Sequence, residues 1–154
     1  MPVVEINISD KRFYLPLIRV RSFCKKCIDK AWEKAHEPSI ISLTLTNDDK
    51  IKKLNRRFRK KNKPTNVLSF ENPHKPAKRE MWAAGDLVLS FDTLKKEAIA
   101  QHISFRSHMA HLLIHGCLHL QGYDHMTDKE AEKMERLETK MMQELGYDDP
   151  YQGE

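Results

Sequence analysis

The spacing of apolar side chains changes several times along the 154 residues, between the period of a strand and that of a helix. Val3-Val4-Glu5-Ile6-Asn7-Ile8 ends in alternation and predicts a strand. Residues 17–35 predict a helix, because Leu17, Val20, Cys24, Cys27, Ile28, Ala31 and Ala35 fall largely on one face, and Glu37-Pro38 stops it. The β-branched run Ser39–Thr46 predicts a second strand. Asn47 caps the next helix, with Asp48 and Asp49 in its first turn and Ile51, Leu54 and Phe58 as its apolar stripe. Lys61–Thr65 reads as a loop, Val67–Phe70 as a short strand, and residues 71–84, with Pro73 and Pro76, as irregular. A strand over Asp86–Phe91 and helices over roughly 92–101 and 104–120 follow. Thr127-x-x-Glu130 is a capping box that opens a last helix, with Met134, Leu137, Met141 and Leu145 facing inward and Gly146 ending it. About four strands and about five helices make one α+β domain over residues 1–154, with no repeat or linker.

Composition narrows the class. Apolar residues are 40% and charged residues 32%, the balance of a folded globular chain. No run of eighteen apolar residues exists, and the N-terminus lacks a basic segment followed by an apolar one, so neither a membrane span nor a secretory signal is expected and a cytoplasmic protein is. Three cysteines, Cys24, Cys27 and Cys117, are no disulfide framework. Cys24 and Cys27 read as two positions of one helix face, and Cys117 as core.

The net charge of +5 is unevenly spread. Residues 50–63 hold Lys50, Lys52, Lys53, Arg56, Arg57, Arg59, Lys60, Lys61 and Lys63 with no acid among them, whereas residues 127–154 are rich in acids. The basic run has two readings: a face that meets a polyanion, or a solvated helix surface with no partner.

Residues 108–120 contain no formally charged side chain, yet carry His108, His111, His115 and His119. Burying an imidazole without a partner costs on the order of 1–3 kcal/mol, so these rings need partners. His115 and His119 stand one turn apart on one face. Gly122 can end the helix in a left-handed turn, and His125 then returns toward the same point. The pattern H-x₃-H-x₂-G-x₂-H is the ligand spacing of the metzincin proteases. It leaves a fourth position for water, as in a catalytic zinc site. His111 reads as a support of that site rather than a ligand. The proteases carry a glutamate directly after the first histidine as general base, and here that residue is Gly116. A protease-type metal site without the protease base, on a basic protein, points away from peptide hydrolysis.

The segment His115-Gly-Cys-Leu-His119-Leu-Gln-Gly-Tyr-Asp-His125 resembles the signature of the YbeY family, bacterial endoribonucleases of rRNA maturation. Leu54-Asn55 with Arg59, Lys63-Pro-Thr-Asn-Val-Leu-Ser-Phe70, Gly85-Asp86, and Glu138-Thr with Leu145-Gly-Tyr-Asp-Asp-Pro-Tyr151 extend the resemblance from about residue 40 to the C-terminus. Many members have aspartate where this chain has Asn66. The resemblance implies a mixed sheet of about four strands flanked by helices. It implies one zinc ion per chain on His115, His119 and His125, and a requirement for Arg59 in catalysis. It also implies single-stranded rRNA as substrate, cut at the 3′ end of the small-subunit rRNA, a role in ribosome quality control, and the ribosome or its small subunit as partner. In that setting Lys52, Lys53, Arg56, Arg57, Lys60 and Lys61 are the expected RNA contacts. The alternative is an RNA-binding assembly factor whose metal is mainly structural, which would need a fourth protein ligand such as His111 or Asp124.

Overall fold

Val3–Ile8 (β1), Ser39–Thr46 (β2), Val67–Glu71 (β3) and Trp82–Ser90 (β4) form one four-stranded sheet in the order β1-β2-β4-β3. β1, β2 and β4 run parallel, and β3 pairs antiparallel with β4, so the sheet is mixed. Among the described residues five helices flank it: Val20–Ala31 (α1), Asp48–Arg59 (α2), Phe91–Ala100 (α3), Phe105–Leu120 (α4) and Asp128–Glu144 (α5). The computed structural model describes residues 1–33 and 38–152. None of its helices is long and apolar enough to cross a membrane.

Period-two alternation sorts the sheet into two faces. Ile41, Leu43 and Leu45 of β2 and Leu87 and Leu89 of β4 join the main core with α1, α4 and α5. Val88 and Leu68 face the other way and meet Ile51 of α2 in a small second cluster. Thus α2 and α4 lie on opposite faces of the β3–β4 edge. α4 packs on α1, α3, α5, β3 and β4, which makes it the central helix.

Several elements differ from the pattern-based expectation. α1 starts at Val20 rather than residue 17, with Leu17 buried just before it; positions 34 and 35 of the expected helix and its stop at Glu37 lie outside the described residues. A 3-10 turn, Lys11–Tyr14, capped by Asp10 and burying Phe13, was not expected. β4 begins at Trp82 and ends at Ser90, so part of the stretch read as irregular is strand and Phe91 opens α3. Ala83-Ala84-Gly85 carries no strand-favouring side chain, and the pairing holds there through a bulge opposite Ile40 and Ile41. At Gly85 the chains approach so closely that a Cβ would lie 2.5 Å from the Phe70 carbonyl oxygen. Phe58 was expected on the buried stripe of α2 and is exposed.

The cap of α2 is as read: the Asn47 side chain accepts from the Lys50 amide. At its other end the buried Asn55 side chain donates from Nδ2 to the Lys63 carbonyl at 2.9 Å, and the Asn55 main-chain carbonyl accepts from the Lys61 amide. One amide side chain therefore pins the basic loop after α2. Asn55→Ala is expected to cost about 1–2 kcal/mol by leaving buried polar groups unpaired. Urea denaturation measures that loss, and faster amide exchange at residues 61–65 should accompany it.

Candidate metal centre

Ser104 starts α4 by accepting from the Ser107 amide, and Gly122 finishes it. Gly122 has φ +96°, the left-handed region open to glycine. Its amide donates to the His119 carbonyl, and the Tyr123 amide to the Leu118 carbonyl, the paired bonds of a Schellman turn. This turn does two things for the site. It brings His125 back beside the helix, with its ring centroid 5.8 Å from that of His115 and 5.1 Å from that of His119. It also sets the Tyr123 carbonyl 3.0 Å from His119 Nδ1.

That contact decides a tautomer. A carbonyl only accepts, so His119 Nδ1 carries the proton and Nε2 presents a lone pair. His115 is fixed likewise: its Nδ1 lies 2.7 Å from Glu138 Oε1. The two Nε2 atoms, each with a lone pair, then face one another at 3.1 Å. Two nitrogens held about 2.0–2.1 Å from one tetrahedral ion stand roughly 3.3 Å apart, so the pair has the spacing of a cation site. His115, His119 and His125 each offer a nitrogen, and these atoms lie within 4.8 Å of one another. Among the described residues neither His111 nor Asp124 joins that set. The donor set is three imidazoles open to a cleft, as an open metal site requires.

His111 instead binds Glu138 Oε1 through Nε2 at 2.9 Å, and Tyr151 donates its hydroxyl to Glu138 Oε2 at 2.7 Å. Glu138 was named in the sequence only within the family resemblance and given no role, although a further signal existed. It falls on the buried face of α5 among Met134, Leu137 and Met141, where a carboxylate needs partners. Burial pushes its pKa up, but the hydrogen bonds from His111 and His115 outweigh burial and bring it from an ordinary 4.5 to about 2. The carboxylate thus stays charged through mild acid, and its contribution to stability, full above about 4.5, is lost progressively as pH falls from there through about 2. Burial lowers the pKa of His119, and the neighbouring His115 lowers it further, which favours the neutral ring that binds metal. His108 is buried with Nε2 on Glu97 at 2.9 Å, and Asn66 donates to the same carboxylate oxygen. Burial pushes the thiols of Cys24 and Cys27 up to about 12, so they stay protonated in the core.

The three histidines line a cleft of about 830 Å³ together with the whole of β3 and with Arg59, Lys61 and Lys63. The cleft lies along the β3 edge, with imidazoles supplied from one face of the sheet and cations from the other. Ser69 joins the two sides: its carbonyl accepts from Arg59 Nη2 at 2.6 Å, and its hydroxyl donates to the Gly116 carbonyl at 3.3 Å. Of the expected RNA contacts, Lys61 lines the cleft; Lys52, Lys53, Arg56, Arg57 and Lys60 are exposed beside it on α2 and its cap.

Gly116 explains why the protease base is absent. A Cβ there would meet Leu87 Cδ2 at 2.8 Å, Ser69 Oγ at 3.1 Å and Val67 Cγ2 at 3.3 Å. The position faces β3 and β4, where a carboxylate has no room. Gly116→Glu is expected to destabilise the fold by at least ~3 kcal/mol, from overpacking and an unpaired buried charge. The urea midpoint should fall accordingly with an unchanged denaturant slope.

Comparison with known proteins agrees with this architecture. The family model described as Endoribonuclease YbeY matches residues 5–146, which extends the likeness into the first forty residues. The protein of that name from Sinorhizobium medicae is 48% identical over 116 residues, 75% of this chain and 69% of its own. That of Buchnera aphidicola is 46% identical over 129 residues, 84% and 83% of the two chains. That of Rhizobium meliloti is 38% identical and covers 98% and 96%. A solution structure from Thermotoga maritima shares the fold with a TM-score of 0.62 at 24% identity, over 93% of this chain and 89% of that one. By the family match and these identities, the chain belongs to the YbeY endoribonuclease family.

Proposed function

We propose that this chain is a zinc-dependent endoribonuclease that cuts single-stranded RNA, acting in maturation of the small-subunit rRNA 3′ end and in ribosome quality control, with the ribosome or its small subunit as partner. The observation that carries the reading is the pair of Nε2 atoms 3.1 Å apart, each with its Nδ1 engaged, in a cleft shared with Arg59. His115, His119 and His125 would hold the ion. When bound, a divalent cation there supplies Lewis acidity to a phosphodiester in the cleft. Arg59 spends one N–H on the Ser69 carbonyl, which steadies the guanidinium and leaves other donors for a phosphate oxygen. Lys61 and Lys63 continue the positive lining along the RNA backbone. A structural metal would want a fourth protein ligand, and the three-histidine set supports the catalytic reading instead.

Single-turnover cleavage of a single-stranded RNA by metal-loaded protein at saturating concentration tests the proposal. The wild type is expected to cut and His115→Ala to lose both metal and cleavage. Arg59→Glu should fold, keep its metal and slow cleavage by about 10²–10³-fold, because charge at the phosphate is greatest in the transition state. An Arg59→Glu rate within a few-fold of wild type would remove Arg59 from catalysis and leave it a binding contact.

Glu138→Gln provides a separate check on the metal. Gln keeps the size but loses the charge that holds the His115 tautomer, so metal affinity should fall about 10- to 100-fold. Competition with a chromogenic chelator reads this without any assay of activity.

A further inference from the structure

The period of α2 puts Phe58 on the apolar stripe with Ile51 and Leu54. Ile51 is fully buried, but Phe58 is 55% exposed, so the stripe leaves the core at its last turn. The exposed ring is not isolated. It packs edge-on against Phe70, with centroids 5.4 Å apart and planes at 63°. The Arg57 guanidinium lies 5.2 Å from the Phe58 centroid, and that of Arg59 lies 5.1 Å from the Phe70 centroid. Phe70 lines the histidine cleft. Two rings and two guanidinium groups therefore form one surface leading from the exposed end of α2 to the candidate metal centre.

Cations alone suffice to hold phosphates, so a solvent-exposed ring among them needs another purpose. An aromatic face beside a basic groove is what a nucleobase stacks on, and stacking is available only to bases not already covered by neighbours in a duplex. We infer that Phe58, flanked by Arg57 and backed by Phe70, is a stacking seat for an unpaired RNA base whose strand continues past Arg59 into the cleft. The inference rests on the RNA reading above and adds to it the source of a preference for unpaired nucleotides.

The test is binding of a cleavage-resistant, single-stranded 2′-O-methyl oligonucleotide to wild type, Phe58→Ala and Phe58→Trp, measured against salt. Phe58→Ala should weaken binding about 5- to 150-fold, the loss of one stacked base. Its log–log salt slope should match wild type, because no phosphate contact is removed. Phe58→Trp should restore affinity, and its fluorescence should be quenched by the intact strand but not by one abasic throughout. Phe58→Ala binding within two-fold of wild type, or an equal loss on the abasic strand, would overturn the stacking seat and leave the RNA reading standing. A wild type that binds no strand would overturn both.

Discussion

Helix α4 meets two demands that pull against each other. It is the central helix, packed on three helices and the sheet, so its surface must be apolar. It also carries four imidazoles, and an imidazole buried without partners destabilises the fold. The structure reconciles these by aiming each ring at a specific group: Glu97 for His108, Glu138 for His111 and His115, and the Tyr123 carbonyl for His119. Those partners come from α3, α5 and the turn after α4. The packing of neighbouring elements thus has a polar consequence as well as an apolar one. Two of the three helices docked on α4, α3 and α5, each deliver a carboxylate to its rings, and the position of the rings depends on that docking.

The orientation of the site follows. Glu138 and the Tyr123 carbonyl each accept a hydrogen bond from an Nδ1–H, and what remains is a pair of Nε2 lone pairs facing each other at 3.1 Å. A cation between them would remove their repulsion, so the same bonds that make the core tolerable also give the pair the arrangement of a candidate metal centre. Tyr151 completes the arrangement from the far end of the chain by donating to the second oxygen of Glu138. The C-terminal segment therefore acts on His115 through one buried carboxylate, and the Tyr151 ring packs edge-on against His111 with centroids 5.4 Å apart.

The β3 edge sets what that site can work on. Gly116 lets β3 lie against α4, which excludes a glutamate at the protease position and brings Ser69 between the motif helix and Arg59. The cleft then has imidazoles on one wall and cations on the other. That combination suits an anionic ester better than a peptide bond. Asn55 keeps the basic loop in place through its bond to the Lys63 carbonyl.

Much of this was legible in the residue order. Strands β1 and β2, the Asn47 and Thr127 caps, helices α3 to α5 and the histidine triplet follow from local rules. Periodicity, capping side chains and ligand spacing act within a few residues, so a linear reading captures them. The elements missed were those whose reason lies elsewhere in the chain. The start of β4 depends on Ile40 and Ile41 across a bulge, because Ala83-Ala84-Gly85 has no strand preference of its own. Phe58 keeps the helical period of a core residue and is exposed because the sheet ends beneath it, at an edge that a single helix cannot reveal. Glu138 sat visibly on an apolar face, but nothing within α5 says that its partners are two histidines of another helix. Sequence alone determined that His115, His119 and His125 could hold a metal together, since their spacing on one helix and its turn is local. Only the tertiary structure decided which nitrogens face one another and which cations share the cleft, because those are set by groups far apart in the chain and joined by packing.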